Sequence, residues 1–121
     1  GAMAWVLTQI RTRFGALASS CWDRHAWNPA SDHPHGKACD VTFGRIGQFP
    51  GSADVARGWS LARWLRANAT ALHVSYVIWQ GRIWSRSRDR DGWRPYGGGG
   101  VYDPTSPTGG HYAHVHVSVA D

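Results

Sequence analysis

Two histidine-rich segments constrain the fold of this chain more than any other feature of its sequence. The first is SDHPHGKACD at 31–40, and the second is HYAHVH at 111–116. Together they contain five of the seven histidines, although about seventy residues separate them. Neither segment alone supplies enough ligands for a closed metal site. A fold that uses both must therefore bring them together in space.

The spacing within each segment predicts a shared metal site. His33 and Asp40 supply one nitrogen and one oxygen ligand, and Gly36 between them favours a turn, since glycine adopts positive φ without steric cost. In the second segment, His114 and His116 face the same side of a strand because side chains alternate. Three protein ligands with an open fourth position are typical of catalytic zinc. The pattern therefore indicates a zinc hydrolase, in which Zn²⁺ acidifies a water molecule and polarises a carbonyl group.

The length and charge of the chain narrow the function classes. A chain of 121 residues predicts one domain. All eight acidic residues are Asp, and the formal charge of +5 favours an anionic partner such as nucleic acid, an acidic wall polymer or anionic lipid. A metal-dependent nuclease is disfavoured because such enzymes usually need more carboxylate ligands or two metal ions. The sequence contains no apolar stretch long enough to predict a transmembrane segment.

Hydrophobic periodicity predicts an α+β fold in which a small antiparallel sheet carries the zinc site and packs against two helices. We expect residues 1–3 to be a scar from tag removal and residues 4–121 to form the domain. Ser52 is expected to cap the second helix. We expect residues 86–110 to form a long loop that is either a wall of the substrate cleft or a simple linker. The predicted helices are 4–15 and 52–68, and the predicted strands are 16–22, 37–43, 74–80, 82–85 and 114–119, with the last strand beside 37–43.

Cys21 and Cys39 are the two cysteines of the chain. In a small domain, one pair is consistent with a disulfide formed outside the cytoplasm. Two buried free thiols explain the sequence nearly as well, whereas thiolate ligation of the metal is less favoured because His and Asp suffice. The predicted location is extracellular, periplasmic or in the cell wall.

The pattern S-x-H-x-x-G-x-A-x-D at 31–40, followed by H-x-H at 114–116, resembles the zinc D-Ala-D-Ala peptidases. These belong to a wider (LAS) group with lysostaphin-type endopeptidases and the Hedgehog amino-terminal domain. The segments YVIW at 76–79, RIW at 82–84 and HYAHVHVS at 111–118 are similar to an actinobacterial and actinophage branch of cell-wall hydrolases. The resemblance implies a Hedgehog-like fold and a monomeric enzyme that cleaves amide bonds in peptidoglycan, without a nucleic-acid partner.

The resemblance also implies roles for individual residues. His33, Asp40 and His116 would bind Zn²⁺, Ser31 would support the first ligand, and His114 would remain unliganded and orient water or stabilise the oxyanion. Tyr112 is a candidate for hydrogen bonding to a tetrahedral intermediate, although a packed aromatic explains it better. Arg24, Arg82 and Arg94 are candidates for holding a substrate carboxylate.

Ala113 departs from the pattern of the family, which places an acidic general base three residues before the last ligand. Three explanations are open. His114 or His111 acts as the base, Ala113 is an engineered inactivating substitution, or the domain binds zinc and wall fragments without cleaving them. For His111 to reach the metal, the strand must start after a bend at Tyr112, because on a regular strand His111 faces away from His116.

Overall fold

The computed structural model describes residues 2–21 and 37–120. Four of the residues singled out from the sequence, namely Arg24, Ser31, His33 and Gly36, lie outside these ranges. In the described part of the chain, none of the helices has the length and apolar character needed to cross a membrane.

A six-stranded antiparallel sheet organises the molecule. The order across the sheet is β1-β2-β6-β3-β4-β5, so the last strand of the chain lies at its centre between β2 and β3. The predicted pairing of the two motif-bearing strands is confirmed, as is the α+β class with an antiparallel sheet. The strands are β1 Ser19–Ser20, β2 Ala38–Thr42, β3 Val74–Trp79, β4 Arg82–Ser85, β5 Arg94–Pro95 and β6 His114–Val119.

The helices pack on one face of the sheet. α1 spans Ala2–Phe14, α2 spans Ser52–Ala67 and the short α3 spans Ala69–Leu72. Buried residues of α1 and α2 recur at helical spacing, so each helix turns one apolar stripe toward the sheet. The core between the layers contains Val6, Ile10, Cys39, Val41, Leu61, Leu65, Val77, Trp79, Trp84, Val115 and Val117.

The two helix starts differ from the sequence-based predictions. α1 begins at Ala2, and Met3 is buried in the core, so these two residues of the segment interpreted as a tag scar belong to the helix. Ser52 is the first residue of α2, whereas Gly51 occupies the cap position and no side chain caps the helix. Asp54 lies in the first turn as predicted, where the helix dipole favours a negative charge.

The β3–β4 hairpin forms as predicted, with Gln80 and Gly81 at the turn. Both residues have positive φ, of 53° and 68°, as two-residue turns with the twist of a hairpin require. The long loop expected at 86–110 is interrupted by short elements. This region contains the 3₁₀ helix Arg86–Asp91, strand β5 and the short 3₁₀ helix Gly98–Gly100.

The 3₁₀ helix Arg86–Asp91 is held against the sheet by one buried indole. Trp84 Nε1 donates a hydrogen bond to Asp89 Oδ1 at 2.8 Å, and Arg66 also bonds this oxygen at 3.2 Å. The Trp84 hydrogen bond is the main reason that the pKa of Asp89 lies below its usual value. Because Trp84 belongs to the core, this short helix extends the helical layer.

Cys21 and Cys39 form a disulfide between residues 18 positions apart, which resolves the alternative left open by the sequence. The Cys39 side chain is fully buried in the core, on the face of the sheet that the helices cover. Its neighbour Asp40 faces the opposite side of β2, because successive side chains alternate. The disulfide and the candidate metal ligand therefore lie on opposite faces of the same strand.

Gly58 determines how closely α2 approaches β3. A β-carbon added at this position would overlap the indole ring of Trp79, which is itself fully buried.

Gly58→Ala is expected to lower the free energy of unfolding by about 1–3 kcal/mol through overpacking, although alanine ordinarily stabilises a helix relative to glycine. Urea denaturation measures this loss. Ser60→Ala, an exposed change on the same helix, is the control and should leave the midpoint nearly unchanged, and an unchanged midpoint for Gly58→Ala would contradict the packing argument.

Candidate metal centre

The strand register places Asp40, the last residue of the first motif, beside the second motif on the face of the sheet opposite the helices. Asp40 lies directly opposite His116, and Thr42 lies directly opposite His114. Residues that are paired across a sheet point to the same face, so Asp40, His114 and His116 converge. Cys39 and Val41 alternate with Asp40 and fill the core on the other face. Alternation thus supplies both a core and a polar site from the same short strand.

His111 joins this group although it precedes the strand. Its φ is +59°, a left-handed conformation that is uncommon for a non-glycine residue, and β6 begins three residues later at His114. The chain therefore bends before β6 begins, as the sequence analysis required for His111 to reach the metal cavity. Its ring centroid lies 4.5 Å from that of His114 and 5.5 Å from that of His116. Strained backbone of this kind is often found at functional sites.

Asp40, His111 and His114 form a group that can hold a metal ion. One ligand atom from each residue lies within 4.8 Å of the others. The site is partly enclosed, since His111 is buried while Asp40 and His114 retain some exposure. Two imidazole nitrogens and one carboxylate oxygen are a donor set that suits zinc with a fourth position open. The residues present therefore fit the metal that the sequence pattern implied.

His116 offers a second way to assemble the ligands around Asp40. The distance from His116 Nδ1 to Asp40 Oδ1 is 3.2 Å, whereas His114 Nε2 lies 3.9 Å from the other carboxylate oxygen. Two ligands bound at about 2.0–2.1 Å to one tetrahedral ion lie about 3.3 Å apart, so the first distance fits both a hydrogen bond and a shared ion. Asp40 belongs to both sets. His33, the third member of the set predicted from sequence, lies outside the described residues.

His116 also connects Asp40 to Ser118. His116 Nε2 lies 2.9 Å from Ser118 Oγ, so the order Ser118, His116, Asp40 matches that of a serine-hydrolase triad. A nucleophile has to meet its substrate, and Ser118 is fully buried in the central strand. With Asp40 accepting from Nδ1–H, the Ser118 hydroxyl donates to Nε2. We therefore interpret this chain of hydrogen bonds as one that orients the imidazole ring.

Two tyrosines that sequence analysis did not single out pack against the histidines. Tyr76 stacks on His116 with ring centroids 5.2 Å apart and planes within 11° of parallel. Tyr96 meets His111 edge-on at 5.3 Å. Burial is the main cause that raises the pKa of the Tyr96 phenol, followed by the charges of Tyr102 and Asp40. The β3–β6 pairing, once known, would have revealed Tyr76, but no pattern in the sequence points to Tyr96.

A family model described as VldE, C-terminal domain, matches residues 1–112. The chain belongs to this family. The match includes Asp40 and His111 and ends before β6, which carries His114 and His116. Among curated proteins and among solved structures, none matches the chain.

Two further candidates from the sequence have defined positions in this VldE C-terminal domain family member. Tyr112 packs edge-on against Phe49 at 5.0 Å, and its hydroxyl end lies against Gly81. Ala113 is 1% exposed, and its carbonyl oxygen accepts a hydrogen bond from the Phe43 amide at 2.9 Å. Ala113 thus lies directly before the strand that carries two of the histidines, and it contributes no acid group to the site.

Two of the arginines considered as binders of a substrate carboxylate lie on different faces of the sheet. Arg82 pairs with Trp79, a core residue, and therefore points to the helical face. Arg94 pairs with Ile83, which in turn pairs with Ile78, opposite His116. Register therefore places Arg94 on the face of the metal centre. Arg24 lies outside the described residues.

Proposed function

We propose that this protein is a zinc-dependent peptidase that cleaves an amide bond in the stem peptide or cross-link of bacterial peptidoglycan. The observation that carries the proposal is the convergence of Asp40 with His111, His114 and His116 on the face of the sheet opposite the helices. The convergence brings Asp40 of the first motif to the histidines of the second, which supports a zinc peptidase resembling the D-Ala-D-Ala and lysostaphin-type enzymes. A Hedgehog-like architecture belongs to the same proposal.

The residues of the site take different roles in the proposed reaction. Asp40 and two histidines hold the ion, and Zn²⁺, when bound, supplies a Lewis acid for the scissile carbonyl and lowers the pKa of water. A histidine of the cluster that does not hold the ion accepts a proton from the attacking water and returns it to the leaving amine nitrogen. His114, which retains some exposure, is well placed for this role if His116 serves as a ligand. Tyr76 stacks on His116 and fixes its ring plane.

The Cys21–Cys39 disulfide supports the proposed location outside the cytoplasm, in the periplasm, the cell wall or the medium. Peptidoglycan is found in these compartments. The formal charge of +5 suits a wall that carries acidic polymers and peptide carboxylates. We propose that the protein works there as a monomer.

The second candidate function is a zinc-containing module that binds wall fragments without cleaving them. The observation that favours it is Ala113, which supplies no carboxylate where the D-Ala-D-Ala peptidases have their acidic base. The positions of Asp40 and the histidines would serve metal binding equally in both cases. Catalysis, not metal content, separates the two functions.

The test uses purified bacterial walls incubated with the protein, with and without a chelator. We expect loss of turbidity and release of free amino groups, both abolished by the chelator and restored by added Zn²⁺. Mass spectrometry of the soluble products identifies the bond that is cut. If the protein binds zinc but releases no amino groups from the walls, the peptidase is rejected in favour of the binding module. Absence of zinc binding would reject both.

A further inference from the structure

Arg94 is a partly buried arginine on the face of the metal centre, and the described part of the chain gives it no counter-ion. Its Nη2 donates a hydrogen bond to Ser85 Oγ at 2.7 Å. Its Nε is enclosed by protein, and among residues 2–21 and 37–120 it has no hydrogen-bond partner. Within the same ranges, no carboxylate forms an ion pair with the Arg94 guanidinium. A half-buried positive charge is costly unless an anion neutralises it.

Among the arginines of the described chain, Arg66 and Arg94 are the two that are not exposed, and only Arg66 has an aspartate partner there. Arg57, Arg66 and Arg88 each pair with an aspartate on the helical side of the molecule. Arg82 is exposed to solvent on that side, where water screens its charge. Arg94 is instead fixed in orientation by Ser85 and shares its face of the sheet with Asp40 and His116.

A short path along the sheet connects the metal centre to this guanidinium. Ser85 pairs with Tyr76, and Tyr76, which lies opposite Ser118, stacks on the neighbouring His116. The polar groups therefore follow a diagonal path across β6, β3 and β4, along which Tyr76 and Ser85 are both partly exposed. Two strand spacings separate β6 from β4, which is about 10 Å. An extended peptide spans this distance with roughly three residues.

We propose that Arg94, with Ser85 beside it, binds a carboxylate of the substrate that lies about three residues from the scissile amide. This inference rests on the proposed peptidase function and adds a substrate class to it, namely peptides with a free carboxylate at that distance. Arginine suits this role because its planar fork matches a carboxylate with two parallel hydrogen bonds. The carboxylate can be the free C-terminus of a peptide or an acidic side chain.

The test measures binding, so that it does not depend on turnover. Calorimetry follows three stem-type peptides: one with all carboxylates free, one amidated at the C-terminus and one amidated at its acidic side chain. Each is titrated into the wild type held with a chelator and into Arg94→Gln, Arg94→Lys and Arg82→Gln. Arg82→Gln removes an equal charge from the opposite face and serves as the matched control. Thermal unfolding verifies that every variant is folded.

We expect the wild type to bind one amidated peptide about 10–100-fold more weakly than the free peptide, as for loss of a charge-assisted hydrogen-bonded pair. The amidated peptide that binds more weakly identifies which carboxylate, C-terminal or side-chain, contacts Arg94. Arg94→Gln should abolish this discrimination, Arg94→Lys should restore part of it and Arg82→Gln should retain it. Equal affinity of the wild type for all three peptides, or discrimination that survives Arg94→Gln, would overturn the inference. If discrimination is present but walls stay intact, the peptidase proposal fails and the carboxylate site stands.

Discussion

Asp40→Asn is expected to remove stoichiometric zinc from the protein and to reduce wall hydrolysis by more than about 100-fold. Asparagine keeps the shape of the side chain and an oxygen, but it removes the negative charge that the ion requires. Loss of a residue that only supports a metal ligand typically costs 10–100-fold in metal affinity or activity, so loss of a ligand should cost more. Asp40 belongs to both ligand sets compatible with the structure, so the expectation does not depend on which set is used.

Equilibrium dialysis with elemental analysis measures the zinc content of Asp40→Asn. Asp91→Asn is the matched control, since Asp91 is an exposed aspartate that pairs with Arg88 on the helical side. It should keep full zinc content and activity. The proposed metal centre would be refuted by an Asp40→Asn protein that binds zinc as the wild type does.

The same measurement on two histidine variants identifies the ligand set. His111→Ala should lose zinc if Asp40, His111 and His114 hold the ion. His116→Ala should lose it if the set predicted from the sequence is used. His73→Ala provides the control, because His73 is exposed at the end of α3. A variant that keeps zinc while losing activity identifies its histidine as the one that transfers protons.

Ala113→Asp is expected to increase wall hydrolysis by roughly 10²–10⁴-fold if the missing acid is what limits catalysis, since a positioned base contributes a factor of that size. The position directly precedes His114 and lies three residues before His116. Zinc content should stay unchanged, because position 113 contributes no ligand in either set. The gain is measured as the initial rate of amino-group release from purified walls.

Ala113→Asn is the matched control for size and polarity, and it should give no gain because an amide does not accept a proton at neutral pH. Ala113 is 1% exposed, so thermal unfolding is measured for both variants to show that each is folded. If a folded Ala113→Asp protein is no more active than the wild type, the acid is not limiting. A histidine would then be the base in an active wild type.

The sequence predicted the central features of the fold because they depend on alternation and on one pair of motifs. Alternation in β2 and β6 predicted both a buried face and a polar face, and the shared histidine–aspartate chemistry predicted that these strands are neighbours. The β3–β4 hairpin followed from Gln80-Gly81 between two alternating segments. Helical periodicity predicted α1 and α2 to within a few residues.

The remaining features depend on long-range geometry that local patterns do not contain. His111 approaches the other histidines because its backbone is left-handed and the chain bends before β6. The sequence showed that such a bend was needed but did not predict that it forms. The 3₁₀ helix Arg86–Asp91 forms where Trp84 and Arg66 hold Asp89, contacts between residues distant in sequence. Tyr96 reaches the site because its amide bonds the Gly81 carbonyl across the hairpin turn.

The bond between Cys21 and Cys39 closes a covalent ring that contains Arg24, Ser31 and His33. One end of that ring is the residue next to Asp40 on β2. Closing a ring lowers the conformational entropy of the unfolded chain, so the disulfide favours the folded state in which β2 presents its carboxylate. An oxidising compartment thus stabilises the strand from which Asp40 projects.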